Sequence, residues 1–128
     1  AKQPLVVGDR LDTDILGANR VGIDSLLVLS GVTSVRELLE ATPDYQPTYL
    51  AWTAAGILDA HRGVVVAQDA VGCGQWQLFD GQLSGAGDSL DAIRAVAVGV
   101  WNGYCTADQG ISALTDIGVT VGNSQAIS

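Results

Sequence analysis

Apolar residues fall in short grouped runs along the first 60 positions, and the grouping predicts strands and helices in alternation. Leu5-Val6-Val7 reads as a short buried strand, and Leu26-Leu27-Val28-Leu29 is an unbroken apolar run, the mark of a strand covered on both faces. Between them Thr13 to Arg20 reads as a helix with Ile15, Leu16 and Ala18 as apolar contacts. Asp14 lies near its start, where the helix dipole favours a carboxylate, and Gly22 fits its C-terminal stop. After a turn at Gly31, Thr33 or Ser34 is placed to cap a helix from Val35 to Ala41, with Glu37 three residues beyond Ser34 as in a capping box. Pro43 and Pro47 bracket a loop, Thr48-Tyr49-Leu50-Ala51 reads as a third strand, and Ala54 to His61 as a short helical stretch. Strands alternating with helices predict a parallel sheet with right-handed crossovers, and three strands alone leave one of its edges bare.

Past Arg62 the pattern changes. Val64-Val65-Val66-Ala67 and Gln75-Trp76-Gln77-Leu78-Phe79 read as strands separated by the turn Gly72-Cys73-Gly74, and Asp80-Gly81 is a good turn dipeptide before a short strand at Gln82-Leu83. Asp88 or Ser89 then caps a helix to about Trp101, its Leu90, Ile93, Ala97 and Val100 spaced for one face. A second helix spans Thr106 to Leu114, and the alternation of Ile117, Val119 and Val121 predicts a terminal strand. The expected class is α/β, with a parallel-sheet region at 1–61 and a small α+β region at 62–128.

Composition narrows the function. Hydrophobic residues make up 48%, enough for a core, and the apolar stretch from Ala92 to Trp101 is interrupted by Arg94 and too short to cross a bilayer. A net charge of −8 with six scattered basic residues argues against nucleic acid, which needs clustered Lys and Arg. Two cysteines, Cys73 and Cys105, make neither a disulfide framework nor a zinc set. Ala1-Lys2-Gln3-Pro4 does not open a signal peptide, and the lack of any methionine implies a native start that is missing or processed away. The expectation is a cytoplasmic protein bound to no membrane.

Chemistry concentrates at Val6-Val7-Gly8-Asp9-Arg10-Leu11-Asp12-Thr13-Asp14-Ile15. A strand ends, a glycine turns the chain, and carboxylates follow at the strand's C-terminal mouth, where open α/β sheets bind ligands. Hard oxygen donors there suit Mg²⁺, which takes carboxylates, waters and substrate phosphate. A glycine-aspartate turn followed by an acid near a helix start is also ordinary structural chemistry, and the residues alone leave both readings open.

The run resembles the fourth motif of the haloacid dehalogenase-like (HAD) phosphatases, Gly-Asp-x-x-x-Thr-Asp. Its Arg10-Leu11-x-Thr13-Asp14-Ile15 form is similar to the subfamily of phosphoglycolate, glycerol-phosphate and nitrophenyl-phosphate phosphatases. Gly17-Ala18, Gly22-Ile23, Leu27-Val28-Leu29-x-Gly31-Val32-Thr33 and Pro47-Thr48-Tyr49 also fit, so the resemblance covers about the first 60 residues. It implies the C-terminal half of a HAD-like Rossmannoid sheet, with Asp9 as a direct Mg²⁺ ligand, Asp14 supporting the metal's water shell, Thr13 shaping the turn and Gly8 allowing close approach. It also implies hydrolysis of small phosphate monoesters through an aspartyl-phosphate. Asp12 reads as a solvated turn residue.

The departures from that family are as informative. No Asp-x-Asp-Gly nucleophile motif occurs, Asp12-Thr13-Asp14-Ile15 lies inside the metal motif, and Lys2, the sole lysine, sits too close to it to act as the family's phosphate-binding lysine. The nucleophile, general acid, phosphate-binding hydroxyl and cap are expected from an N-terminal part of the same enzyme, and this chain alone is expected to be inactive. Residues 62–128 look like the GNAT-type (acetyltransferase-like) extension of some actinobacterial members. Gln82-Leu83-Ser84-Gly85-Ala86-Gly87 matches that type's pyrophosphate loop, but no basic residue follows until Arg94, and Asp88 and Asp91 would repel a phosphate. The extension is therefore read as a packing or homodimerising module, the alternative being a ligand-binding regulatory one. His61 has no recognisable triad partners. Cys73, between glycines, is either a reactive exposed thiol or a plain loop residue, and Cys105 reads as core.

Overall fold

The first three strands pair in parallel, in chain order, so their C-terminal ends share one edge. In the computed structural model, which describes residues 4–29, 33–53, 64–67 and 70–119, β1 (Leu5–Gly8) pairs with β2 (Asp24–Val28), and β2 with β3 (Tyr49–Ala51). The register sets Gly8 opposite Leu27 and Val28 opposite Ala51. Leu26 and Leu27 are fully buried, as their unbroken apolar run requires. The mixed α/β class with a parallel sheet is as expected. The helical stretch expected at 54–61 lies outside the described residues.

The chain groups into two compact units, Ala1–Ser34 with Ala41–His61, and Val35–Glu40 with Arg62–Ser128. In the first, the helix expected from Thr13 begins earlier and in a wider form. Leu11–Ile15 makes a π turn, with Ile15 N–H donating to the carbonyl of Arg10 at 3.3 Å, and α1 (Leu16–Arg20) continues from it. Such single π turns often accompany functional sites, because the extra residue re-aims neighbouring side chains. Ile15 and Ala18 form its buried face, and Gly22, at φ +73°, closes α1 as expected. The Asn19 amide donates to the carbonyls of Asp44 at 2.7 Å and Gln46 at 3.1 Å, tying α1 to the 3₁₀ turn Pro43–Tyr45 that leads into β3. Ser25, fully buried, accepts from the Thr48 N–H at both its hydroxyl and its carbonyl, so it leaves no unpaired polar group in the core.

The second unit is an antiparallel meander of β4 (Val65–Val66), β5 (Ala70–Cys73), β6 (Trp76–Phe79) and β7 (Gln82–Gly85), followed by α3 (Ser89–Trp101) and α4 (Ala107–Asp116). Gly72 and Cys73, expected in a turn, lie in β5, and the turn is at Gly74 and Gln75. The alternation that would have marked β5 spans only four residues and includes a glycine, too little for a period-2 signal. Its inward residues Val71 and Cys73 pack with Trp76 and Leu78 on one face of the sheet, toward α3. At Asp80-Gly81 both φ values are positive, as a two-residue hairpin turn needs.

Helix α3 starts where expected, with the Asp88 carboxylate accepting from Leu90 N–H at 2.9 Å. Thr106 and Gln109 form a capping box at the start of α4. The terminal strand expected from Ile117 and Val119 is not one. Gly118, at φ +94°, ends α4 in a Schellman turn, with Gly118 N–H donating to Thr115 and Val119 N–H to Leu114. The alternation there was a helix end whose hydrophobic residue folds back; Val121 lies outside the described residues.

Helix α2 (Val35–Leu39) lies between β2 and β3 in sequence, and a division at 61–63 assigns it to the first unit, but its contacts belong to the second. Trp101 Nε1 donates to the Leu38 carbonyl at 3.0 Å, and Arg36 reaches Asp108 at 3.7 Å. A Cβ at Gly110 of α4 would lie 2.7 Å from Val96 and 3.2 Å from Leu39, so only glycine lets the three helices close at that point. No helix among the described residues is long and apolar enough to cross a membrane.

Candidate functional site

Because β1 and β2 run in parallel, the loops that follow them open at the same edge, and the expected acids lie there. Asp9 follows β1 directly and is partly buried; Asp14 sits inside the π turn, also partly buried. Gly8 is the residue that lets Asp14 in. A Cβ at Gly8 would overlap the Asp14 carboxyl group, so the strand's last residue must lack a side chain for that carboxylate to lie against the backbone. One Asp14 oxygen accepts the Arg10 N–H at 3.3 Å. Thr13 is exposed and its hydroxyl has no described partner; its carbonyl accepts from Leu16 N–H within the turn.

Asp12 points into solvent with Arg10. The guanidinium meets its carboxylate twice at 3.2 Å, which holds the Asp12 carboxyl below, and the Arg10 guanidinium above, their ordinary ranges. Both side chains are about half or more exposed, so the pair stabilises little but gives Asp12 a partner other than a ligand.

A residue assigned to a helix start proves to belong here as well. Thr33, 3% exposed, donates its hydroxyl to the Asp9 carbonyl at 2.7 Å. The sequence signal was present in Gly31-Val32-Thr33, but nothing local could say that its hydroxyl reaches a residue 24 positions earlier.

The donor set suits a hard divalent cation in part. Mg²⁺ is held by one or two carboxylates and completes its shell with water and phosphate oxygens. Asp9 and Asp14 meet that requirement, and among the described residues no three acidic, histidine or cysteine side chains converge into a self-sufficient cage. The residues present fit one wall of a Mg²⁺ site. Gly8→Ala is expected to displace Asp14 and weaken divalent-cation affinity by about tenfold or more, as loss of a supporting contact around a metal typically does. A metal titration of the variant against the wild type checks this.

The other candidates resolve differently. Cys73 is buried on β5 with its Sγ 3.5 Å from Asp91, and Cys105 is buried too, its thiol pushed up by desolvation. Thiol reagents at neutral pH are expected to label neither cysteine in the folded chain and both in denaturant, and fast native labelling of Cys73 would contradict its place on β5. Gln82–Gly85 is strand β7, not a loop, and Asp88 caps α3. A cavity of about 310 Å³ beside that cap is lined by Gly74, Gln75, Ala86, Gly87, Asp88 and Asp91. Its charged lining is acidic, unsuited to a phosphate. His61 lies outside the described residues.

Residues 1–55 match the family model described as HAD-hydrolase-like. The chain is 40% identical over 110 residues to the D-glycerol 3-phosphate phosphatase of Mycobacterium tuberculosis, covering 76% of this chain and 30% of that protein. It is 47% identical over 53 residues to phosphoglycolate phosphatase 2 of Arabidopsis thaliana, covering 41% of this chain and 18% of that one. Among solved structures, the M. tuberculosis glycerol phosphate phosphatase in complex with magnesium superposes with a TM-score of 0.56 at 34% identity, over 79% of this chain and 32% of that one. The chain thus spans about a third or less of the length of these relatives, and the M. tuberculosis match continues past the family-model region into the second unit.

Proposed function

Starting from the HAD-hydrolase-like match over residues 1–55, we propose that this chain is the C-terminal part of a Mg²⁺-dependent HAD phosphatase that hydrolyses small phosphate monoesters of the glycerol phosphate or phosphoglycolate class. The observation that carries the reading is Gly8 making room for the Asp14 carboxylate at the mouth of β1, one residue before Asp9. Similarity to phosphatases named for those two substrates supports the substrate class.

In this reading Asp9 holds the cation directly and Asp14 orients its water shell, with Thr13 in the turn between them. The bound cation supplies charge neutralisation for the transferring phosphoryl group. The nucleophilic aspartate, the general acid and the phosphate-binding groups come from an N-terminal part of the same enzyme. Among the described residues β1 pairs only with β2, and Val7 is 37% exposed, an edge able to take a further strand.

Residues 62–128 serve as a GNAT-like extension without transfer chemistry, used for packing or homodimerisation. The observation favouring this is that Arg94, the first basic residue after Gln82–Gly87, is held by Asp91 at 2.6 Å and is not presented to a pyrophosphate. Titration with coenzyme A that gives no heat at two temperatures supports it; saturable binding favours the regulatory alternative.

Assay of Mg²⁺-dependent phosphate release tests the main reading. The chain alone is expected to show none with glycerol 3-phosphate or phosphoglycolate. Combined with its N-terminal part, it is expected to show turnover that chelation abolishes and Mg²⁺ restores. Turnover by the isolated chain would overturn the placement of the nucleophile.

A further inference from the structure

The Asp9–Arg10 peptide group is bonded at both ends. Its carbonyl accepts the Thr33 hydroxyl at 2.7 Å, and its N–H donates to the Asp14 carboxylate at 3.3 Å. A trans peptide is planar with C=O and N–H pointing opposite ways, so turning that plane to satisfy one partner fixes the direction of the other. The two bonds also polarise each other in the same sense. Thr33 is almost wholly buried, and the β1–β2 register sets Gly8, the residue before Asp9, opposite Leu27.

We infer that Thr33 is a positioning residue for both carboxylates: its hydroxyl sets the Asp9–Arg10 peptide plane, and that plane aims Asp9 and tethers Asp14. The inference rests on the proposed metal role for what the aim is for, but the relay itself requires no metal. Thr33 acts through a main-chain group, which is why a hydroxyl and not a particular side-chain shape is required.

The test uses the whole chain by NMR, without metal and then with Mg²⁺ alone. Thr33→Val keeps the shape and removes the donor; Thr33→Ser keeps the donor. In Thr33→Val the Arg10 amide proton is expected to move upfield as its bond to Asp14 loosens, while the amides of Leu26 and Leu27 stay in place. Thr33→Ser is expected to retain the wild-type Arg10 position. The Mg²⁺ midpoint read from the Asp9 and Asp14 resonances should weaken about fivefold in Thr33→Val, the scale of one net hydrogen bond, and recover in Thr33→Ser.

An unmoved Arg10 amide in a folded Thr33→Val overturns the relay whatever the metal does. A displaced amide with an unchanged Mg²⁺ midpoint overturns the positioning role. Where the wild-type resonances of this chain, which holds one wall of the site, ignore Mg²⁺, the Arg10 shift alone decides the relay, and the metal reading is decided by Mg²⁺-dependent phosphate release. Should Thr33→Val not fold, the wild type decides: a Thr33 hydroxyl proton held in this bond exchanges slowly and is resolved, and one in fast exchange with water overturns the assignment.

Discussion

Asp9→Asn, placed in the full-length phosphatase proposed above, is expected to lower turnover by roughly a hundredfold or more and to raise the Mg²⁺ concentration needed for half activity. The substitution keeps the side chain's size and removes its charge, leaving a neutral oxygen where a hard divalent cation needs an anionic one. A cation at the transferring phosphoryl is worth several kcal/mol of charge stabilisation, which sets that scale. The fold should persist, because the hydrogen bond that anchors this position runs through the Asp9 carbonyl to Thr33 and does not involve the carboxylate. Wild-type kinetics in Asp9→Asn at limiting Mg²⁺ would remove Asp9 from the metal site. Normal affinity with lost turnover would instead place its role in the chemical step.

The second large effect is expected far from that mouth. Asp91→Ala should destabilise the second unit by about 3–5 kcal/mol, the usual cost of removing one partner from a buried ion pair. The Arg94 guanidinium meets Asp91 at 2.6 Å, the two side chains are 11% and 4% exposed, and Cys73 Sγ lies 3.5 Å from the same carboxylate oxygen. Without Asp91 the largely buried guanidinium loses the carboxylate that meets it at 2.6 Å. Replacing both together, as Asp91→Leu with Arg94→Met, should return most of the loss, because a well-packed apolar pair has no desolvation cost to offset. Denaturant unfolding of the three proteins measures this. A single variant as stable as the wild type would mean that the pair holds nothing in place.

That ion pair marks the boundary of what chain-order reasoning reached. Asp91 and Arg94 are three apart, a spacing any helix allows, and in sequence Asp91 looked like an acidic group at a helix entrance. Its near-complete burial depends on β5 packing under α3, and β5 itself was not legible. Four residues with a glycine among them carry too little period-2 signal, so Cys73 was read into a turn. At the other end of the same unit, Ile117 and Val119 alternate as a strand would, yet Gly118 folds them into a helix stop. Over three residues, alternation cannot be told from a helix end whose last apolar residue folds back.

Features governed by neighbours along the chain were determined by the sequence alone. The unbroken apolar run at Leu26–Val28 made a buried parallel strand, Asp88 capped the helix it precedes, and Asp80-Gly81 turned a hairpin. The glycine and carboxylates after β1 were placed at a strand mouth by the same short-range logic. The tertiary structure alone decided that a Cβ at Gly8 would displace Asp14, that Thr33 reaches Asp9 across 24 residues, and that α2 packs with α3 and α4, its Leu38 carbonyl accepting from Trp101 63 residues away. The physical reason is one of range. Periodicity and capping report interactions within a turn or two of backbone, whereas these contacts exist only once strand register and helix packing have brought distant residues to the same point.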